Sequence, residues 1–112
     1  MKKVVTFGEV MVRLAPSEHD RFAQSCPGSM DLTFGGAESS VAASISMLGG
    51  SSRFVSALPQ HAIADAFVRQ MRGFKVDVDH VLRREAGRFG IYYVETGANQ
   101  RPSRVIYDRD YS

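Results

Sequence analysis

One cysteine, Cys26, stands in the whole chain, which excludes an internal disulfide and any zinc cluster built on thiolates. That scarcity fits a reducing, cytoplasmic setting, which is the expected location. No run of about eighteen apolar residues occurs, so no membrane-spanning helix is expected. The opening Met1-Lys2-Lys3-Val4-Val5-Thr6-Phe7-Gly8-Glu9 has no sustained apolar stretch before Glu9 and does not read as a signal peptide. Charge of one sign is also scarce: 14 Lys and Arg against 12 Asp and Glu leave +2, with the basic residues scattered. Nucleic acid is therefore not an expected partner. His19, His61 and His80 lie too far apart for metal-ligand spacing and are expected at solvated positions.

What is present is ordinary for a folded chain of 112 residues: 44% hydrophobic and 23% charged. Lys3 to Phe7 reads as a buried strand ending at Gly8, and Val10 to Leu14 as a second. Ala15 to Ser29, with Pro16, Pro27 and Gly28, reads as loop. Asp31 to Phe34 alternates like a half-exposed strand and leads into Gly35-Gly36. A helix follows from Ala37, with an apolar face at Val41, Ile45 and Leu48, stopped by Gly49-Gly50. Arg53 to Leu58 reads as one core strand, and Ile63, Ala66, Phe67 and Met71 mark a helix closed by Gly73. Strand, helix, strand, helix implies an α/β class with parallel strands. Phe89 to Glu95 and Ser103 to Tyr107 read as a hairpin about the turn residues 96–100. About three parallel strands and a hairpin are fewer than the five or six usual in such a sheet, so the chain is expected to be truncated.

The glycine pair between strand and helix is the first chemical candidate. Gly35 and Gly36 allow backbone amides to face a ligand at the positive helix end. The spacing is neither a dinucleotide fingerprint nor a phosphate loop ending in Lys-Ser/Thr, and from spacing alone a tight turn permitting close packing is the better account. Ser39, Ser40, Ser44 and Ser46 suit a helix packed closely on a sheet. Tyr92 and Tyr107 can be a cross-strand aromatic pair, and Arg109 a surface cation beside Asp108 or Asp110.

Gly35-Gly36-Ala37-Glu38-x-Ser40-Val41-Ala42, followed by Leu48-Gly49, resembles the N-terminal signature of the PfkB (ribokinase-like) carbohydrate kinases. Phe7-Gly8-Glu9-Val10-Met11, Ala57-Leu58-Pro59, Gly90-Ile91-Tyr92 and the run from Glu95 to Arg109 resemble the 2-keto-3-deoxygluconate kinase branch. The similarity extends from Lys3 to Ser112. It implies the N-terminal part of a ribokinase-like three-layer α/β fold. Strand–helix units would occupy about residues 1–80, and a small β-sheet lid would use strands at about 10–14, 31–34 and 89–109. It further implies transfer of the ATP γ-phosphate, with magnesium, to a primary hydroxyl of a sugar acid. By position, Gly36, Tyr92, Tyr107 and Arg109 would contact that sugar acid, joined by Gly35 and by Glu9 as a hydroxyl acceptor. Arg109 suits the carboxylate as a bidentate partner, and the tyrosines suit the hydroxyls and carbon skeleton.

The same resemblance implies a homo-oligomer formed through the lid sheet. It also implies a catalytic base in a Gly-x-Gly-Asp segment, and no such segment occurs in these 112 residues. Catalytic residues are thus expected to be absent here, ATP and magnesium to be bound mainly elsewhere, and the chain alone to be inactive. Ser40 stands where the family usually has Asn, and His61 and Ala64 stand where relatives commonly carry Asn and Gly. A neutral sugar such as fructose or ribose remains an alternative substrate, which Arg109 disfavours mildly for want of a carboxylate. A non-catalytic binding or dimerisation remnant is the alternative of a different class.

Overall fold

A computed structural model describes residues 3–17, 20–85, 87–95 and 103–108. In chain order the elements are β1 (Val4–Phe7), β2 (Met11–Ala15), α1 (Phe22–Ser25), β3 (Asp31–Gly35), α2 (Ala37–Met47) and β4 (Ser52–Val55). They continue with β5 (Ala57–Pro59), α3 (Ala62–Gly73), β6 (Leu82–Arg84), β7 (Ile91–Glu95) and β8 (Arg104–Asp108). β1 pairs with β4 in parallel, and an isolated parallel bridge from Arg53 to Asp77 extends that sheet by one segment. β5 and β6 form a second parallel pair. The remaining strands make a four-stranded sheet in the order β3-β2-β7-β8, whose outer pairs are antiparallel and whose central pair is parallel.

Phenylalanines join these layers. Phe67 of α3 meets Phe34 of β3, Phe54 of β4 and Phe89 ahead of β7, with ring centroids 5.3, 5.7 and 6.4 Å apart. Phe54 and Phe67 are fully buried, and Val12, Leu58, Met71, Val76 and Val78 are among the other members of the cluster. Edge-to-face packing of this kind adds to the burial of large rings. The four-stranded sheet therefore turns the face carrying Val12, Phe34 and Ile91 toward α3.

Several expectations need correction. β1 is not buried: Val4, Val5 and Phe7 are 46%, 57% and 76% exposed, because the described residues cover it only with β4 and α2. The stretch 15–29 is not all loop, since α1 forms a single turn whose first N–H, that of Phe22, donates to the buried carboxylate of Glu95 at 2.9 Å. Arg53 to Leu58 is two strands in different sheets, divided at Ser56. β6 had no signal in the sequence. On α2, Val41 and Leu48 face outward while Ser39 and Ala42 are buried, so small residues rather than the apolar ones meet the sheet. Ser52, inside β4, donates to the Ala42 carbonyl at 2.7 Å and lies 2.6 Å from the Ser46 hydroxyl, an approach that a larger side chain would block. On α3 the buried stripe is Ala64, Phe67, Val68 and Met71; Ile63 and Ala66 lie outside it. His61 is exposed but caps α3, its Nδ1 accepting from the Ala64 N–H at 3.3 Å. Its departure from the family pattern thus has a structural use.

At the beginning of β1 and β4, Asp77 ties three segments together. It accepts from the Asp79 N–H, from Lys3 Nζ and from Arg53 Nε, each at 2.9 Å. The backbone N–H, then the Lys3 and Arg53 cations, hold its carboxyl well below the usual carboxylate range. The unfolded chain takes up that proton near 3.8, whereas the folded chain resists it to lower pH. The stabilisation is therefore complete above about pH 5 and fades as the pH falls through 3.8. Asp77→Asn is expected to cost about 1–2 kcal/mol at pH 7, a modest figure because both cations are partly solvated. Urea denaturation of the two proteins at pH 7 and pH 3 checks this, and the gap between them should narrow at the lower pH.

Candidate functional site

The glycine bend lies where β1 ends and α2 begins. Gly36 is the N-cap of α2, its carbonyl accepting from the Ser40 N–H at 3.0 Å and from the Ser39 hydroxyl at 3.1 Å. The first N–H groups of an eleven-residue helix have no intrahelical partners, and the helix dipole concentrates positive potential there. A Cβ on Gly36 would lie 2.7 Å from the Glu9 carbonyl oxygen and 3.3 Å from the Val10 Cα. Glycine is thus required by the chain that links β1 to β2. At the end of β1, Gly8 is covered by the Glu38 side chain from the first turn of α2, and a Cβ there would lie 2.5 Å from its carboxyl carbon. Carboxyl ends of parallel strands, facing helix N-termini, are where α/β sheets ordinarily collect ligands.

The hairpin reaches the same place. In register, Tyr92 of β7 lies between Arg13 of β2 and Tyr107 of β8. The two tyrosine rings are 6.1 Å apart and inclined by 31°. Tyr92 extends across β2, so that a Cβ on Gly35 would run into its hydroxyl. Four elements therefore converge: the Gly8–Glu9 end of β1, the Gly35–Gly36 bend, β2 and β7. The face they share carries Gly35, Tyr92 and Tyr107, and it is opposite to the face packed on Phe67.

Of the residues singled out from the sequence, Gly35, Gly36, Tyr92, Tyr107 and the backbone of Glu9 belong to this assembly. Arg109 and Asp110 lie outside the described residues, as does His19. Asp108 is engaged by Arg88 at 2.7 Å. Cys26 is exposed and follows α1. Among the described residues no group of three or more His, Cys, Asp and Glu lies together to hold a metal ion, and no helix is long and apolar enough to cross a membrane. Sequence reasoning passed over Arg13, although its place one residue after the buried Val12 in an alternating strand marks it for the Tyr92 face.

Residues 1–112 match the family model described as pfkB family carbohydrate kinase. The chain is 38% identical over 107 residues to the 2-dehydro-3-deoxygalactonokinase of Haloferax volcanii, covering 96% of this chain and 33% of that protein. Its fold is similar to the crystal structure of 2-dehydro-3-deoxygluconokinase from Thermotoga maritima, with TM-score 0.91, 47% identity and coverage of 100% of this chain and 33% of that one. A PfkB family carbohydrate kinase from Listeria grayi gives TM-score 0.90 at 36% identity, over 99% of this chain and 34% of its own. The chain thus spans about a third of the length of the relatives it matches.

Proposed function

Because the chain belongs to the pfkB family of carbohydrate kinases and has the fold of their N-terminal part, we propose that it is the sugar-binding part of an ATP-dependent kinase. The substrate is 2-keto-3-deoxygluconate or a similar sugar acid, phosphorylated at a primary hydroxyl. The observation that carries this reading is the contact between Gly35 and the Tyr92 hydroxyl, which brings the hairpin and the glycine bend onto one face. The names of the Thermotoga and Haloferax relatives, both kinases of 2-dehydro-3-deoxy sugar acids, favour the acidic substrate over a neutral sugar.

In this reading the Gly35 and Gly36 backbone and the first turn of α2 meet hydroxyls or the acid group, and Glu9 accepts from a hydroxyl. Tyr92 and Tyr107 cover the carbon skeleton and hydrogen-bond its oxygens. Arg109 takes the carboxylate as a bidentate pair. The four-stranded sheet serves as the lid, positioning the sugar and excluding water. Phosphoryl transfer needs a base and groups to hold the nucleotide and magnesium. These residues contain no Gly-x-Gly-Asp run and the described ones no metal cluster, so no transfer step is assigned to them. Residues 1–112 by themselves are accordingly proposed to be inactive. We also propose self-association through the lid sheet, whose edge strand β8 exposes Val105 and Ile106.

Calorimetric titration of the full-length protein with 2-keto-3-deoxygluconate and with fructose tests the substrate. Binding of the acid at least about tenfold tighter than fructose is expected, a difference of about 1.4 kcal/mol. Equal affinities would favour the neutral-sugar reading. Arg109→Ala is expected to weaken acid binding by about 2–3 kcal/mol through loss of the charged pair, and unchanged affinity and turnover would remove Arg109 from its role.

A further inference from the structure

Arg13 is half-buried, and among the described residues it makes no hydrogen bond or ion pair. The other half-buried arginines among the described residues are satisfied. Arg53 meets Asp77 at 2.9 Å, and Arg83 meets Asp65 at 2.6 Å. Even the exposed Arg88 has a carboxylate partner, at 2.7 Å. A guanidinium cannot shed its charge at any ordinary pH, and the Arg13 nitrogens keep contact with solvent while its stem is covered, so the charge is open to an incoming anion. The position of Arg13 shows where such an anion would sit. It sits in the cross-strand row Thr33, Arg13, Tyr92 and Tyr107, on the face that also carries Gly35. Its register partners, Thr33 and Tyr92, are uncharged, so neither supplies the missing anion.

We propose that Arg13 is a binding and specificity-determining residue, a cation on the floor of the lid sheet that pairs with the carboxylate of the bound sugar acid. This rests on the reading of the Tyr92 face as the sugar site. A carboxylate offers about four acceptor sites, so Arg13 takes those that the Arg109 fork leaves, and the neighbouring Tyr92 hydroxyl is placed for the adjoining sugar oxygens. A neutral sugar offers Arg13 no such partner, so the residue selects for acids.

The test uses the full-length protein, Arg13→Gln and Arg13→Lys, titrated with 2-keto-3-deoxygluconate, fructose and inorganic phosphate. Arg13→Gln is expected to weaken acid binding at least tenfold and leave the fructose affinity unchanged. Arg13→Lys, which keeps the charge and loses the fork, should fall between and preserves the test if the glutamine variant does not fold. Acid affinity retained in both folded variants overturns the role of Arg13 and leaves the sugar-acid reading standing. A wild-type protein that binds no acid overturns both. Wild-type binding of inorganic phosphate that Arg13→Gln abolishes, with acid binding intact, assigns Arg13 to phosphate and overturns the carboxylate pairing.

Discussion

Gly36→Ala is expected to lower stability by about 3 kcal/mol, while Gly35→Ala, one residue earlier, costs about 1 kcal/mol and instead damages binding. The two glycines meet different obstacles. The backbone of Gly36, at φ 175°, is extended and open to any residue, so its restriction is purely steric. A methyl there meets the Glu9 carbonyl oxygen and the Val10 Cα, main-chain atoms held by pairing on either side. They yield only if β1, β2 or α2 shifts. A methyl on Gly35 meets the far end of Tyr92, which can swing aside. That movement spares the fold and carries the hydroxyl away from the sugar, so affinity should fall about tenfold or more. Urea unfolding together with sugar titration separates the cases. Combining Gly35→Ala with Tyr92→Phe should cost less than the sum of the two, because the clashing oxygen is gone. Strict additivity would show that Tyr92 does not lie over Gly35 in solution.

Phe67→Ala should be more damaging still, costing about 3–5 kcal/mol. Its ring is 1% exposed and meets Phe34, Phe54 and Phe89, each from a different segment. Truncation removes the aromatic contact between α3 and both the β1–β4 layer and the four-stranded sheet, leaving a void that rigid neighbours cannot fill. Domains are stable by only about 5–15 kcal/mol, so such a loss can consume much of the margin. Phe67→Leu, which retains most of the volume, is expected to cost about 1.5 kcal/mol. Denaturant midpoints for both variants check the ordering, and a Phe67→Ala protein as stable as Phe67→Leu would contradict the central place given to this ring.

Much of the chain order was legible because it rests on local rules. The alternation of Asp31 to Phe34, the stop at Gly49-Gly50 and the two β-branched, aromatic runs around residues 96–100 each gave the right type of element. What failed was mostly a question of which face is covered. Val41 and Leu48 have helical spacing, yet α2 docks through Ser39, Ala42 and Ser46, since close approach to β4 favours small side chains. On α3, adding Val68 to Phe67 and Met71 gives the stripe 64, 67, 68 and 71, so that error was avoidable. β6 was not visible: Leu82-Arg83-Arg84 is a strand because β5 lies beside it, a relation that three residues do not encode. The site was legible in parts. The glycines and tyrosines were named, but their meeting depends on the pairing of β2 with β7, which joins segments far apart in the chain.

That pairing places two requirements on one alignment. Ile91 opposite Val12 and Tyr92 opposite Arg13 put hydrocarbon on the α3 side and phenol on the other. Displacing β7 by one position would invert the strand, sending the hydroxyl into the phenylalanine cluster and the aliphatic branch out to solvent. A molecule misaligned in this way would lose its binding surface and its interior together. Whatever keeps the hydrophobic layer in step also keeps the tyrosine over the glycine, and selection on either one maintains the other.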